Sequence, residues 1–281
     1  MAGGEGGGEQ SLQGVTVLAL EQSVSGPLCT RLLADLGARV IKVERPGVGD
    51  LSRSWDQALG PWSSVDLWVN ANKESLTLDL KQERGREILL RLVERADVVL
   101  ETFTPGAAAR MGLDYETLRA RNPGVVYCHI SGYGQSGPYR DRKAMDLLIQ
   151  GEAGLIELTG SESEPARLAV SVADISSGLY AAISILAALQ HARATGRGQE
   201  IDVSMLDTTV SLLGYWTWRF WYKGVEPRRL GMRHPLIVPY GVFRARDGYV
   251  NICVSTESMW RRFCGVLDLP VASYVRAREG L

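Results

Sequence analysis

Val15-Thr-Val-Leu-Ala-Leu20, Ser23-Val-Ser-Gly-Pro27 and Val40-Ile-Lys-Val43, read in that order, decide the fold. The first is a short β-rich apolar run bounded by Gly14 and by the turn from Ser23 to Gly26, the pattern of a buried strand. Pro27 suits a first helical turn, Leu32, Leu33 and Leu36 recur at helical spacing, and Gly37 suits a C-terminal cap. The run at 40–43 is then a second strand. Strand, helix, strand is the unit from which parallel sheets with right-handed crossovers are built. Gly26 has no GxGxxG around it, so the usual dinucleotide fingerprint is absent.

Working outward, Ser75 to Leu80 alternates at period two as a half-buried strand does. Glu83 to Ala96 places Ile88, Leu89, Leu92 and Val93 on one helical face. Asp97 to Glu101 and Val125 to Ile130 read as further strands. The expected fold is α/β: an open, mainly parallel Rossmann-like sheet with helices on both faces, plus a smaller α+β region. Leu51 to Lys73, with Trp55, Trp62 and Trp68 among polar residues, reads as a long ordered excursion. Ala169 to Arg193 reads as a long helix, Glu200 to Val203 as a short strand, and Met205 to Tyr222 as one helix carrying Trp216, Trp218, Phe220 and Trp221. Such an aromatic stripe usually belongs to a core or a subunit interface. Tyr240 to Val254 reads as a hairpin around Asp247-Gly248. The expected organisation is a flexible Gly-rich tail over 1–11, a large domain over 12–200, and a linker helix with the start of a small domain over 201–281.

Composition narrows the function. Among 281 residues, 31 Lys and Arg against 32 Asp and Glu give a net charge of -1, so no global basic field argues for nucleic acid or an anionic membrane. Cys29, Cys128, Cys253 and Cys264 lie far apart without CxxC spacing, as reduced thiols of a reducing, cytoplasmic compartment do. Only His129, His191 and His234 occur, which disfavours a His-rich metal centre. Val170 to Leu189 is interrupted by Asp174, Ser176, Ser177 and Gly178, so no transmembrane helix is expected.

The chemistry gathers around Ser131-Gly-Tyr-Gly-Gln-Ser-Gly-Pro138 and the carboxylate that follows it, Asp146, ahead of Leu147-Leu-Ile149. The glycines let a backbone pass close to a ligand. Asp146 has two readings, a helix N-cap or a nucleophile toward an activated acyl group. Arg45, Lys81 and Arg110 each follow a strand, where ligands of open α/β sheets gather and where cations hold phosphate. Taken alone, Arg110 is equally well a solvated helix residue.

Ala34-Asp-Leu-Gly-Ala-Arg-Val-Ile-Lys-Val-Glu-Arg-Pro46 with Gly49-Asp50, Met111-Gly-Leu113, Ser131 to Pro138, Ala188-Leu189 through Gln199, and Pro239-Tyr-Gly-Val-Phe243 with Asp247-Gly-Tyr249 follow one another in a known order. Through these stretches the chain resembles the class III CoA-transferases, which include formyl-CoA transferase, carnitine CoA-transferase, succinyl-CoA-dependent dicarboxylate transferases and the α-methylacyl-CoA racemases. The resemblance implies that the large domain binds coenzyme A, that Asp146 forms covalent aspartyl intermediates, and that CoA passes from an acyl-CoA to a small carboxylic acid without a metal. It implies CoA contacts at Val24, Ser25, Arg45, Leu78 to Lys81, Thr102, Phe103, Arg110, Ser131, Tyr133 and Gly134, with Tyr133 at the acyl site. Val24 stands where formyl-CoA transferase has Gln. Glu21-Gln22 and Arg233-His234 are similar to dicarboxylate-handling members.

A racemase needs a second proton carrier, typically His. Glu116 and Met145 occupy the positions where that His is expected, which favours transfer over racemisation. The resemblance also implies an interlocked homodimer and a family chain that continues beyond Val266-Leu-Asp-Leu-Pro270. The alternative from another class is a truncated, non-catalytic fragment that binds CoA or dimerises.

Overall fold

The computed structural model describes residues 10–60 and 62–271; the Gly-rich tail at 1–9 and the polar end at 272–281 lie outside the described residues. The elements run β1 (Thr16–Leu20), α1 (Ser25–Asp35), β2 (Arg39–Glu44), a 3₁₀ turn (Leu51–Ser54), α2 (Ser64–Asn70), β3 (Lys73–Thr77), α3 (Glu83–Val93), β4 (Val98–Glu101), α4 (Ala107–Arg110), α5 (Tyr115–Arg121) and β5 (Val126–Ser131). They continue with α6 (Asp146–Glu152), α7 (Leu155–Leu158), α8 (Val172–Thr195), β6 (Glu200–Ser204), α9 (Met205–Ser211), α10 (Tyr215–Lys223), β7 (Tyr240–Arg244), β8 (Tyr249–Cys253) and α11 (Glu257–Val266).

Contacts group the chain into two compact units, one formed by the residues up to Ala153 with Val170–Gly214, the other by Gly154–Ala169 with the residues from Tyr215 onward. In the first, six strands lie in the order β3-β2-β1-β4-β5-β6, and every pairing is parallel. This is the doubly wound order of nucleotide-binding sheets, in which the chain reverses direction across the sheet between β1 and β4. The expected α/β class is correct. The sixth strand straddles the 200/201 boundary read from the sequence and belongs to the large sheet. Its first partner pair is Tyr127 with Glu200.

Because the sheet is covered on both faces, its central strands are buried along their length. One face packs Val17, Val98, Val126 and Cys128 against Leu33 of α1 and Ala181, Ile185 and Ala188 of α8. The other packs Leu18, Ile41, Val99 and Tyr127 against Leu89 and Val93 of α3 and Leu118 of α5.

By length and composition alone α8, 24 residues long with a mean hydropathy of 1.7 over an 18-residue stretch, could cross a bilayer, and half of that stretch is buried inside the protein. The polar residues thought to interrupt it sit inside it: Ser176 and Ser177 are buried, and each donates its hydroxyl to Ala173 O, at 3.1 and 2.6 Å. It serves as the core helix of this unit, packed on α1, α9 and β5.

Three other expectations shift. The strand read at 75–80 runs instead over Lys73–Thr77, because its pairing follows β2 from Val40↔Lys73 onward. The excursion at 51–73 contains a helix, α2. The single helix read over 205–222 is two, parted at Gly214, whose φ of 54° is left-handed. In the second unit, β7 and β8 form the expected hairpin around Asp247-Gly248. None of the aromatics of α10 is buried there.

A buried histidine ties three strands together. His129 Nδ1 lies 2.5 Å from Glu101 Oε1 on β4, and Nε2 lies 2.9 Å from Glu200 Oε1 on β6. Only an imidazolium donates to both. Burial opposes that charge, but the two carboxylates outweigh it and raise the histidine above its ordinary value. A raised folded pKa means that the stabilisation is complete below the unfolded value of about 6.5 and is lost as pH rises through the folded value. Wild-type stability is therefore expected to fall across this window above about pH 6.5 more steeply than that of His129→Gln, as measured by urea denaturation at each pH.

Candidate functional site

At the carboxyl ends of β1 to β4 lies a cavity of about 270 Å³ lined by Leu20, Glu21, Gln22, Val43, Glu44, Arg45, Gly49, Asp50, Leu78 to Lys81, Phe103 and Met111. Six of the expected contacts, Arg45, Leu78 to Lys81 and Phe103, meet here from three different strand exits. The position beside the reversal of strand order is where ligands of open α/β sheets bind. Apolar Leu20, Val43, Phe103 and Met111 offer a face for a flat ring, and Arg45 and Lys81 supply positive charge.

The rest of the expected set lies elsewhere in the same unit. Val24 is 3% exposed and packs with Leu28 and Val69 rather than lining the cavity. Ser25 begins α1 and is buried. Thr102 Oγ1 accepts from Gln22 N at 3.2 Å, joining the two turns behind the cavity. Arg110 ends α4 immediately before the lining residue Met111.

Beneath the cavity is a buried ionic network that sequence reasoning missed. Lys42, 2% exposed on β2, donates to Asp50 Oδ2 and, at 2.7 Å, to Asn70 Oδ1. Asp50 Oδ1 accepts from Ser23 N at 3.1 Å and Ser52 N at 2.9 Å, so one carboxylate joins the turns after β1 and β2. Burial pushes Asp50 up, yet Lys42 prevails and holds it below the usual carboxylate range. Glu44 is likewise disfavoured by burial, but Arg53 and Ser75 bring it down to about 2. Glu21, similar by sequence to dicarboxylate-handling members, is instead 3% exposed and held by Lys73 at 2.8 Å and Thr30 at 2.7 Å. The sequence signal was Lys42 inside an otherwise apolar strand, since a charge there needs a partner.

Around Asp146 the glycine loop folds back on itself. A Cβ at Gly132 would sit 2.1 Å from Ala144 Cβ, so this close approach admits only glycine and sets the residues before Asp146 against the end of β5. Ser131 closes β5, with its Oγ buried and without a hydrogen-bond partner. Tyr133 rests edge-on to Tyr139 at 5.7 Å. Burial, followed by a hydrogen bond to Glu152, raises its hydroxyl pKa. Gly134 lies against Asp202, whose Oδ2 accepts from Gln135 N at 2.8 Å. Gly132→Ala is expected to displace this loop and cut turnover by roughly tenfold or more with little change in melting temperature, since a displacement of about 1 Å suffices to misalign a reacting group; steady-state kinetics beside a thermal melt checks it.

Asp146 is the first residue of α6, whose N-cap is Met145. It does not cap its own helix. Its Oδ1 accepts from the backbone of Ala173 at 2.9 Å and of Asp174 at 3.4 Å, and its Oδ2 accepts from Gln150 Nε2 at 2.7 Å. The carboxylate therefore sits at the N-terminus of the long helix α8, where free amides and the helix dipole favour negative charge. Asp174, one of the residues that interrupt the apolar run of α8, is pushed up to about 7 by burial and then by the Asp146 charge. A half-buried, oriented carboxylate beside a second carboxyl that binds a proton near neutrality can act as a nucleophile or exchange protons.

The second unit holds a separate cavity of about 700 Å³ whose lining includes Trp216, Arg219, Arg228, Arg233, His234 and Tyr240. Arg233 is paired there with Glu162. His234 Nδ1 accepts from Leu236 N and Ile237 N, both at 3.1 Å, which puts the ring proton on Nε2.

The sheet order and the cavity beside its reversal point define a doubly wound, Rossmann-like chain with an oriented carboxylate at the start of α6. The profile of CoA-transferase family III matches residues 12–279, and the chain belongs to that family. A succinate–glutarate CoA-transferase of Agrobacterium fabrum is 40% identical over 266 residues, covering 92% of this chain and 66% of that protein. Human succinyl-CoA:glutarate CoA-transferase is 38% identical over 261 residues, covering 92% and 60%. A crystal structure of a CaiB/BaiF family protein from Brucella suis matches with a TM-score of 0.84 at 38% identity, over 92% of this chain and 70% of that one. The chain spans 59% to 68% of the length of the curated relatives it matches.

Proposed function

We propose that this protein moves CoA from an acyl-CoA thioester to a small dicarboxylic acid through covalent intermediates on Asp146. The carrying observation is the placement of Asp146, with both oxygens oriented by hydrogen bonds at the start of α8. Membership of family III and relatives named for glutarate and mesaconate support the substrate class.

An Asp146 oxygen attacks the thioester carbonyl, the C–S bond breaks, and CoA leaves as thiolate from a mixed anhydride. The thiolate attacks the aspartyl carbonyl and releases the donor acid as its carboxylate, leaving an aspartyl-CoA thioester. The acceptor carboxylate then displaces CoA thiolate, which returns to the acceptor carbonyl and frees Asp146. Charge and protons balance over the cycle. Each attack develops an oxyanion, for which the backbone of the glycine loop offers amides without steric obstruction. Arg45, Lys81, Leu78 and Phe103 hold the nucleotide end, with Arg110 beside them.

The same reading makes the active enzyme a cytoplasmic homodimer. The exposure of Trp221 and Tyr222, 69% and 80%, supports a partner surface on α10. The experiment is transfer from succinyl-CoA to a panel of mono- and dicarboxylic acids, with hydroxylamine trapping followed by peptide mass spectrometry. A hydroxamate at residue 146 formed during turnover supports the reading; turnover with residue 146 unmodified overturns it. The proton-binding Asp174 favours a second reading, α-proton exchange on the acyl group, which deuterium incorporation from solvent would reveal.

A further inference from the structure

Gln150 is fully buried, and its amide is committed to the reacting carboxylate. It lies on α6 one turn after Asp146, the spacing at which two helical side chains meet. Its Nε2 donates at 2.7 Å to Asp146 Oδ2 and at 3.4 Å to Val170 O. The other oxygen, Oδ1, is held differently. It accepts from the backbone amides of Ala173 and Asp174, at 2.9 and 3.4 Å, in the first turn of α8, whose own cap residue Ser171 makes no side-chain cap bond. Two donors fixed in a helix therefore grip one oxygen, and a side-chain donor holds the other.

The two oxygens are unequal in a reaction at this carboxyl. The oxygen that attacks an acyl carbon becomes a bridging oxygen, a weak acceptor, while the other becomes a carbonyl oxygen, a good one. Backbone amides set in α8 cannot withdraw, so Oδ1 keeps its partners only as the carbonyl oxygen. Gln150 Nε2 still has Val170 O when Oδ2 is acylated. We propose that Gln150 is a positioning residue that presents Asp146 Oδ2 as the attacking oxygen, with Oδ1 left on the Ala173 and Asp174 amides as the carbonyl oxygen of both aspartyl intermediates. This rests on the CoA-transfer reading above. Oδ2 bonds to the donor acyl carbon as the C–S bond breaks; thiolate then adds to Cγ, the electron pair moves to Oδ1, and its return expels Oδ2 within the donor carboxylate. An acceptor oxygen adds to Cγ in the same way and expels thiolate, which takes the acceptor acyl group and frees a carboxylate made of Oδ1 and one acceptor oxygen. At both additions to Cγ the charge lands on the oxygen that the two amides already hold, so no donor has to reorganise. A neutral amide on Oδ2 fixes its direction without the full charge of a lysine or arginine, which lowers the basicity of a carboxylate beside it.

The test is steady-state transfer from succinyl-CoA to a dicarboxylic acid by the full chain, for wild type, Gln150→Met and Gln150→Glu, with thermal melts and hydroxylamine trapping beside them. Gln150→Met, of similar volume, is expected to lower kcat by roughly 100-fold, the size of the loss when a reacting group is misaimed, with KM for both substrates and the melting temperature little changed. A glutamic acid at this position donates its O–H to Oδ2 only while protonated, and the Asp146 charge raises its pKa above the usual value of about 4.3. The ratio of Gln150→Glu to wild-type kcat is therefore expected to be highest at low pH and to fall as pH rises through that raised value, a profile that packing alone does not produce. A Gln150→Met kcat close to wild type, a rise in KM alone, activity lost only in step with the melt, or a Gln150→Glu ratio that is flat with pH each overturns the positioning role while leaving the CoA reading intact. A wild type that transfers no CoA, or does so with residue 146 unmodified, overturns both.

Discussion

Asp146→Asn is expected to lose CoA transfer by about 10⁴-fold or more while the chain keeps its fold. An amide oxygen is too weak a nucleophile to open a thioester, yet it still accepts the Ala173 and Asp174 amides that the native Oδ1 accepts. Asparagine is as good a cap as aspartate, whereas alanine costs about 0.5–2 kcal/mol at such a position. Comparing the two substitutions therefore separates the roles: Asp146→Ala and Asp146→Asn should be equally inactive, and only Asp146→Ala should melt measurably lower. A second signature comes from Asp174, which Asp146 helps to hold at about 7. A carboxyl with a raised folded pKa contributes stability below its unfolded value, about 3.9, and that contribution is lost as pH rises to about 7. With the charge at 146 removed, Asp174 ionises more easily and this loss becomes smaller. Retained transfer in Asp146→Asn, or unfolding in both variants, would contradict the assignment.

Lys42→Met is expected to destabilise the large unit by about 3–5 kcal/mol, the cost of removing one partner from a buried pair. Methionine fills much of the volume but leaves Asp50 Oδ2 buried without its ammonium, in a residue only 2% exposed. Because Asp50 also fixes the turns at Ser23 and Ser52, the damage should reach the cavity wall, so affinity for CoA should fall with stability. Urea denaturation followed by the tryptophan signal, with Lys42→Met/Asp50→Asn as the companion variant, checks this. The double variant removes the orphaned charge and should recover part of the loss. A single variant within about 1 kcal/mol of wild type would mean that water replaces the ammonium.

Regular elements were legible wherever local pattern and packing agree. The strand at 16–20, the helix closed by Gly37 and the amphipathic helix from Glu83 all lie within a few residues of where spacing places them, because hydrophobic periodicity reports the buried face directly. The pattern failed where polar residues are satisfied at long range. Ser176 and Ser177 read as interruptions of α8, yet they donate to the helix's own backbone inside the core. Lys42 read as one polar position in an apolar strand, and its partners come from residues 50 and 70.

The amino-acid sequence by itself determined the succession of strands and helices, and with it the parallel α/β class, since each element needs only its own apolar face and its own caps. It also singled out Asp146 and the glycine loop by their place after the fifth strand. What only the tertiary structure decided is what Asp146 touches. Two of its three hydrogen bonds come from α8, more than twenty residues further along the chain, and its neighbour Asp174 binds its proton because folding buries the two carboxyls close together. Charges respond to distance in space and to the water excluded around them, and neither quantity is set until the sheet has closed.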